Sequence, residues 1–94
     1  MEFIHEPGIF YANDQTGKRI AEVTYQAFEN NQSLVLDHTF VDDSLRGQGI
    51  ARQLVDQVVA LARANHQTIL PLCTYASALF ARDDQYQDVW RREN

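Results

Sequence analysis

Cysteine is almost missing from this chain. Cys73 is the only one in 94 residues, so no intramolecular disulfide can form and nothing calls for an oxidising compartment. Cationic side chains are also scarce. Eight Lys and Arg face 13 Asp and Glu, a formal net charge of −5, where a general nucleic-acid binder would carry a basic stripe. No apolar run approaches the roughly 20 residues of a membrane-spanning helix. The opening Met1-Glu2-Phe3-Ile4-His5-Glu6-Pro7 lacks the basic and apolar regions of a secretory signal. The histidines, His5, His38 and His66, are scattered without Cys/His partners at zinc spacing, so no metal centre is expected. These absences set the expectation of a soluble cytoplasmic protein that engages neither nucleic acid nor membrane.

What is present reads as ordinary globular composition, 45% hydrophobic and 22% charged. No repeat, low-complexity tract or linker interrupts it, so residues 1–94 are expected to form one domain. Phe3 to His5 can start a strand before the Pro7-Gly8 break, and Ile9 to Asn13 reads as a second. Asn13 to Gly17 is a turn cluster, with Gly17 the position for φ > 0. Arg19 to Phe28 alternates loosely as a half-exposed strand, and Glu29 to Gln32 is the next turn. Ser33 to Val41 is the third long strand, which completes an antiparallel meander.

The pattern then changes. Asp42-Asp43-Ser44 offers capping chemistry. From Ile50 the apolar positions Ile50, Leu54, Val58, Leu61 and Ala62 fall on one helical face. Arg52, Gln53, Asp56, Gln57 and Arg63 lie mostly on the other. Asn65-His66-Gln67 ends the helix, and Thr68 to Cys73 is a short apolar strand. Strand, crossover helix and strand imply a parallel pair. The tail from Ser77 to Trp90 is expected to form one or two short helices, with Phe80, Tyr86 and Trp90 packing on the sheet. Asp83, Asp84 and Glu93 are expected to be solvated, and His5 and His66 to sit on the surface at element ends.

Between the third strand and the helix stands Arg46-Gly47-Gln48-Gly49-Ile50-Ala51. A glycine turn entering a helix exposes unpaired N–H groups at the positive end of the helix dipole, a seat for phosphate or pyrophosphate. Arg46 can add a charge-assisted contact. The dinucleotide fingerprint fails, because Arg52 stands where a third Gly or Ala is needed. The phosphate-loop pattern fails for want of Gly-Lys-Ser/Thr.

Arg46-x-x-Gly49-x-Ala51 resembles the coenzyme A loop of the GNAT N-acetyltransferase superfamily, Gln/Arg-x-x-Gly-x-Gly/Ala. The segments His38-Thr39-x-Val41, Leu45 to Ala51, Leu54-Val55, Pro71-x-Cys73-x-Tyr75 and Arg82-x-x-x-Tyr86-x-x-Val89 resemble a small single-domain subgroup, the YjdJ-like proteins. The likeness spans essentially the whole chain. It implies an α/β (α+β) fold with a GNAT-like mixed sheet: an antiparallel N-terminal meander, a parallel strand–helix–strand unit, then short C-terminal helices.

The resemblance implies acetyl-CoA as cofactor and a primary amine as acceptor. In the family the parallel strands splay, and the pantetheine arm lies between them against the earlier strand. Phe40 and Val41 would supply its backbone contacts, and Gly47, Gln48, Gly49, Ile50, Ala51 and Arg52, with Arg46, would hold the pyrophosphate. Cys73 would lie near the thioester as nucleophile or general acid; the plainer reading is a small packed thiol. His38 is a candidate general base, although simple alternation gives it the same face as Leu34, Leu36 and Phe40, the company of a core histidine. Asp37 and Thr39 would point to the opposite face. Tyr75 is the best donor to a departing thiolate, and Tyr86 competes with it.

The expected activity is acetyl-CoA-dependent N-acetyltransfer to an unidentified amine, by direct attack or through Cys73. The alternative is a coenzyme A or acyl-CoA binding module, or a complex subunit, without turnover. Larger superfamily members place extra helices before the coenzyme loop, whereas only strands precede position 46 here. The acceptor site would then be shallow, shared across a dimer, or supplied by a partner. Exposed strand edges leave monomer and homodimer both open.

Overall fold

The computed structural model describes residues 1–92; Glu93 lies outside them. The meander is built from β1 (Ile4–Glu6), β2 (Ile9–Asn13), β3 (Arg19–Phe28) and β4 (Ser33–Val41). Turn chemistry sets their ends. Asp14 accepts hydrogen bonds from the N–H groups of Thr16 and Lys18 and from Thr16 Oγ1, and Gly17 closes that turn at φ +90°. Glu29, Asn30 and Asn31 all take positive φ between β3 and β4. Then α1 (Ile50–Ala64) crosses over and β5 (Thr68–Pro71) returns parallel to β4. The five strands lie in sequence order.

One face of α1 makes the core. Ile50, Leu54, Val55, Val58, Val59 and Ala62 are buried together with Phe10, Ala12, Ala21, Val23, Leu34 and Leu36 of the sheet. Leu61, expected on that face, is only half-buried. Val55 and Val59 take its place, because a sheet meets a wider arc of the helix than a single stripe does.

The fifth strand is shorter than expected. It stops at Pro71, and α2 (Thr74–Arg82) starts three residues earlier than the tail pattern suggested. The N–H groups of Leu72 and Cys73 both turn to the Leu36 carbonyl, at 3.0 and 3.4 Å. Cys73 is therefore the N-cap of α2, its Sγ accepting from the Ala76 N–H at 3.3 Å, and not a strand residue. Behind it Phe80 stacks on Tyr86 at 5.0 Å and meets Trp90 edge-on at 6.3 Å, the packing expected of these aromatics. Val89 and Arg91 bond the main chain of Ile69 along the outer edge of β5. Asp83 is not simply solvated: it accepts from Arg52 and from the Gln85 N–H.

A β-bulge divides β4. Tyr25 lies opposite Leu36, yet Thr24 lies opposite His38, so Asp37 is an extra residue in the ladder. A one-residue insertion moves every later side chain to the other face. Leu34, Leu36, Thr39 and Val41 thus share the face of Ala21 and Val23, beneath α1. His38 and Phe40 turn to the opposite face with Thr24 and Glu22. This overturns the expectation that His38 shares a face with Leu34 and Leu36. Ile9, Tyr11, Thr24, Val35, His38 and Phe40 on that opposite face stay half-buried or exposed.

Candidate active site

The site forms where β4 outlasts β5. Their pairing runs from Ser33 opposite Thr68 to Leu36 opposite Pro71, and β4 then continues to Val41 without it. Which backbone groups are left open follows from the antiparallel alternation. The Asp42 N–H donates to the Ile20 carbonyl at 2.8 Å, so Phe40 and His38, two and four residues earlier, also turn their main-chain groups toward β3. The N–H and C=O of Thr39 and Val41 point to the vacated edge. Of the pair expected to serve that edge, Val41 faces it, the Phe40 main chain is engaged with β3, and Thr39 faces the edge in its stead.

The loop after β4 is locally braced. Asp42 accepts from the Ser44 N–H at 3.0 Å and Ser44 Oγ at 2.6 Å, capping a 3-10 turn over Asp43–Leu45. Those bonds, aided by Lys18, hold its carboxyl below the usual range. Gly47 and Gly49 then take φ of +83° and +71°. Neither is glycine for want of room, since a Cβ at either would meet nothing within 4 Å. They are needed for the left-handed backbone, and the space beside them is open. No side chain caps the start of α1 and no acidic residue stands in its first turn. The opening N–H groups of α1, including those of Ala51 and Arg52, therefore lack helical partners at the positive end of the dipole.

Val41, Leu45, Arg46, Gly47, Gly49, Ile50, Ala51 and Tyr75 come together around a cavity of about 330 Å³ that Asp42 and Asp43 also line. Gln48 is not a wall; its N–H donates to the Leu45 carbonyl at 3.3 Å. Arg46 pairs with Asp43 at 2.7 Å, but both side chains are exposed, and so open a pair exchanges readily for another anion. The Arg52 side chain leaves the loop: it donates to Asp83 at 2.6 Å and ties the first turn of α1 to the chain after α2. An uncapped helix start, two glycines facing open space and a free strand edge fit the pyrophosphate and amide-bearing arm of coenzyme A.

The two tyrosines separate clearly. Tyr75 lines the cavity from the first turn of α2. Tyr86 is fully buried and donates to Asp56 Oδ1 of α1 at 2.6 Å. Burial, and then that bond to a carboxylate, pushes its hydroxyl up to about 12. Tyr86 is thus a core residue that joins two elements. The other two candidates flank β4 from opposite sides. Cys73 Sγ lies 3.7 Å from Thr39 Oγ1 on the α1 side. On the open face His38 Nε2 lies 3.4 Å from Glu22 Oε2. Thr39 stands in the His38-Thr39-x-Val41 segment, but its place beside Cys73, like that of Glu22 beside His38, depends on the bulge and on cross-strand register, which no local pattern signals.

Residues 9–89 match the family model of the GCN5-related N-acetyl-transferases. The solution structure of a GCN5-like protein from Staphylococcus aureus superposes with a TM-score of 0.80 at 35% identity, covering 99% of this chain and 90% of that one. The fold extends to more distant proteins. A ribosomal-protein-alanine N-acetyltransferase from Brucella melitensis gives 0.59 at 20% identity, over 92% of this chain and 63% of that one. A structure described as a streptothricin acetyltransferase from Bacillus anthracis in complex with acetyl coenzyme A gives 0.59 at 19%, over 83% of this chain and 47% of that one. This chain spans roughly half to two thirds of those two proteins. No curated protein sequence matches it, and among the described residues no helix is long and apolar enough to cross a membrane. The family match over most of the chain and the Staphylococcus likeness together make this chain a member of the GCN5-related N-acetyltransferases, acyltransferases that draw on acetyl-CoA.

Proposed function

We propose that this protein moves an acetyl group from acetyl-CoA to a primary amine that approaches over the uncovered sheet face. One observation carries the reading: a single cavity joins the coenzyme loop, the free end of β4 and the hydroxyl-bearing Tyr75. Acetyl-CoA supplies an activated acetyl group as a thioester. The N–H groups from Gly47 to Arg52 would hold its pyrophosphate with help from Arg46, and the Thr39–Val41 edge would bond the pantetheine amides as an added strand. The Tyr75 hydroxyl would donate to the departing sulfur, and the His38 imidazole would accept a proton from the attacking nitrogen. Direct attack needs no covalent step on the protein. Cys73, beside Thr39, is the alternative acyl carrier, its sulfur taking the acetyl group before the amine does.

The open face favours acceptors that need little enclosure, among them polyamines, lysine side chains, peptide termini and small amines. The net charge of −5 suits the cationic ones. The test is release of coenzyme A thiol from acetyl-CoA, followed with a thiol reagent across such a panel. Turnover that falls at least tenfold in Tyr75→Phe is the expected result. Calorimetric binding of acetyl-CoA with no transfer to any amine would instead identify a binding module.

A further inference from the structure

The sheet face that the helices leave uncovered carries one connected polar array. On β1, Glu6 Oε2 accepts from the Tyr11 hydroxyl at 2.6 Å. The Arg19 guanidinium lies 4.0 Å over the Tyr11 ring. It donates from Nε to Asn13 Oδ1 at 2.9 Å and from Nη1 to Glu22 Oε1 at 2.8 Å. The second oxygen of Glu22, Oε2, lies 3.4 Å from His38 Nε2, within ion-pair range and just beyond a formed hydrogen bond. Four strands are bridged, and the array ends one residue from Thr39, where the free edge of β4 begins.

As a stability device the array is weak, because its ion pairs are partly exposed, with the His38 side chain 55% accessible. Its effect is to fix Glu22. Arg19 is pinned by the ring and by Asn13, so one Glu22 oxygen is anchored and the other is aimed at His38. Phe40 stands directly opposite Glu22, and His38, two residues away, takes the diagonal position at which long side chains meet. That meeting depends on the Asp37 bulge. An unbroken ladder would turn His38 beneath α1 beside Leu36.

We propose that Glu22 is the positioning residue for His38. Its carboxylate holds the proton on Nε2, which leaves the lone pair on Nδ1 for the proton of the acceptor amine. The inference rests on the reading of His38 as the base. In the transfer the C–N bond forms as the thioester C–S bond breaks, the proton on nitrogen passes to Nδ1, and the sulfur takes a proton from Tyr75. The Glu22 carboxylate stabilises the imidazolium that forms.

Two readouts test this. In ¹H–¹⁵N correlation of the imidazole ring in the neutral state, the native protein should show Nε2 protonated and Nδ1 bare. Glu22→Leu should move the two nitrogen shifts toward each other as the tautomers mix, and unchanged shifts overturn the proposal. The second readout is coenzyme A release with spermidine as the probe amine. Glu22→Leu should lower kcat roughly tenfold with the KM for acetyl-CoA unchanged. Glu22→Gln, an acceptor without charge, should recover part of that loss. The double variant with His38→Ala should be no slower than His38→Ala alone, a non-additivity that general destabilisation would not produce. If His38→Ala keeps native turnover, the functional reading of His38 fails and the proposal with it. If His38→Ala loses turnover while Glu22→Leu keeps it, the proposal alone fails. The nitrogen shifts require no turnover, so they decide the matter even if spermidine is not accepted.

Discussion

Gly49→Ala and Gly17→Ala impose the same backbone cost at two places that differ in what surrounds them. Gly49 has φ +71° and Gly17 φ +90°, and at neither would a Cβ meet a protein atom within 4 Å. Alanine in that conformation costs about 1 kcal/mol, with no clash to add. For a domain of this size, about 1 kcal/mol lowers Tm by roughly 4–8 °C. Both variants should therefore melt several degrees early in the absence of ligand, by similar amounts. Acetyl-CoA should tell them apart. At Gly49 the new methyl enters the space beside the uncapped start of α1, where the pyrophosphate is to sit. Losing one hydrogen bond to a charged group there is worth about 1.5–3 kcal/mol, or roughly 10- to 150-fold in Kd. Calorimetric titration should give native affinity for Gly17→Ala and that loss for Gly49→Ala. Saturating acetyl-CoA should raise the melting temperature of the first far more than that of the second. Equal affinity loss in both variants, or none in Gly49→Ala, would refute the placement of the anion.

Alkaline stability offers a test of the Tyr86 bond to Asp56. A hydroxyl raised to about 12 in the folded chain from its usual 10 contributes stability that is whole below pH 10 and lost as pH rises toward 12. The loss amounts to roughly 2–3 kcal/mol. Denaturant titrations of the native protein should weaken across that window, and Tyr86→Phe, less stable at pH 8, should show a flatter decline there. Cys73 separates structure from chemistry by substitution. Cys73→Ser should keep the cap of α2, whereas Cys73→Ala should lose about 1 kcal/mol of stability. If the sulfur carries the acetyl group, Cys73→Ser loses transfer and mass spectrometry of the native protein with acetyl-CoA alone finds a thioester on Cys73; if transfer is direct, Cys73→Ser turns over and no adduct appears.

Much of this protein was written locally. Asp14 and Gly17 stop one strand and open the next by turn chemistry, so the bounds Arg19–Phe28 and Ser33–Val41 could be read directly. The loop from Arg46 to Ala51 carries its own meaning as well, because two left-handed glycines and an uncapped helix start are properties of a few consecutive residues. The sequence by itself therefore determined the order of elements, the mixed sheet and the glycine turn that opens α1. Tertiary structure decided which side chains face the cavity and which the open face of the sheet. The extra residue at Asp37 exists only against the register of β3, and it moved His38 to the open face and Thr39 beneath α1. Pro71 ended β5 early, and bonds to the Leu36 carbonyl made Cys73 a helix cap. Tyr75 and Tyr86 look alike in sequence, and only Asp56, 30 residues from Tyr86 along the chain, drew one into the core and left the other at the cavity. The physical reason is one of range. Turns and caps are settled among neighbours, whereas the face a strand residue presents is settled by the strand across from it.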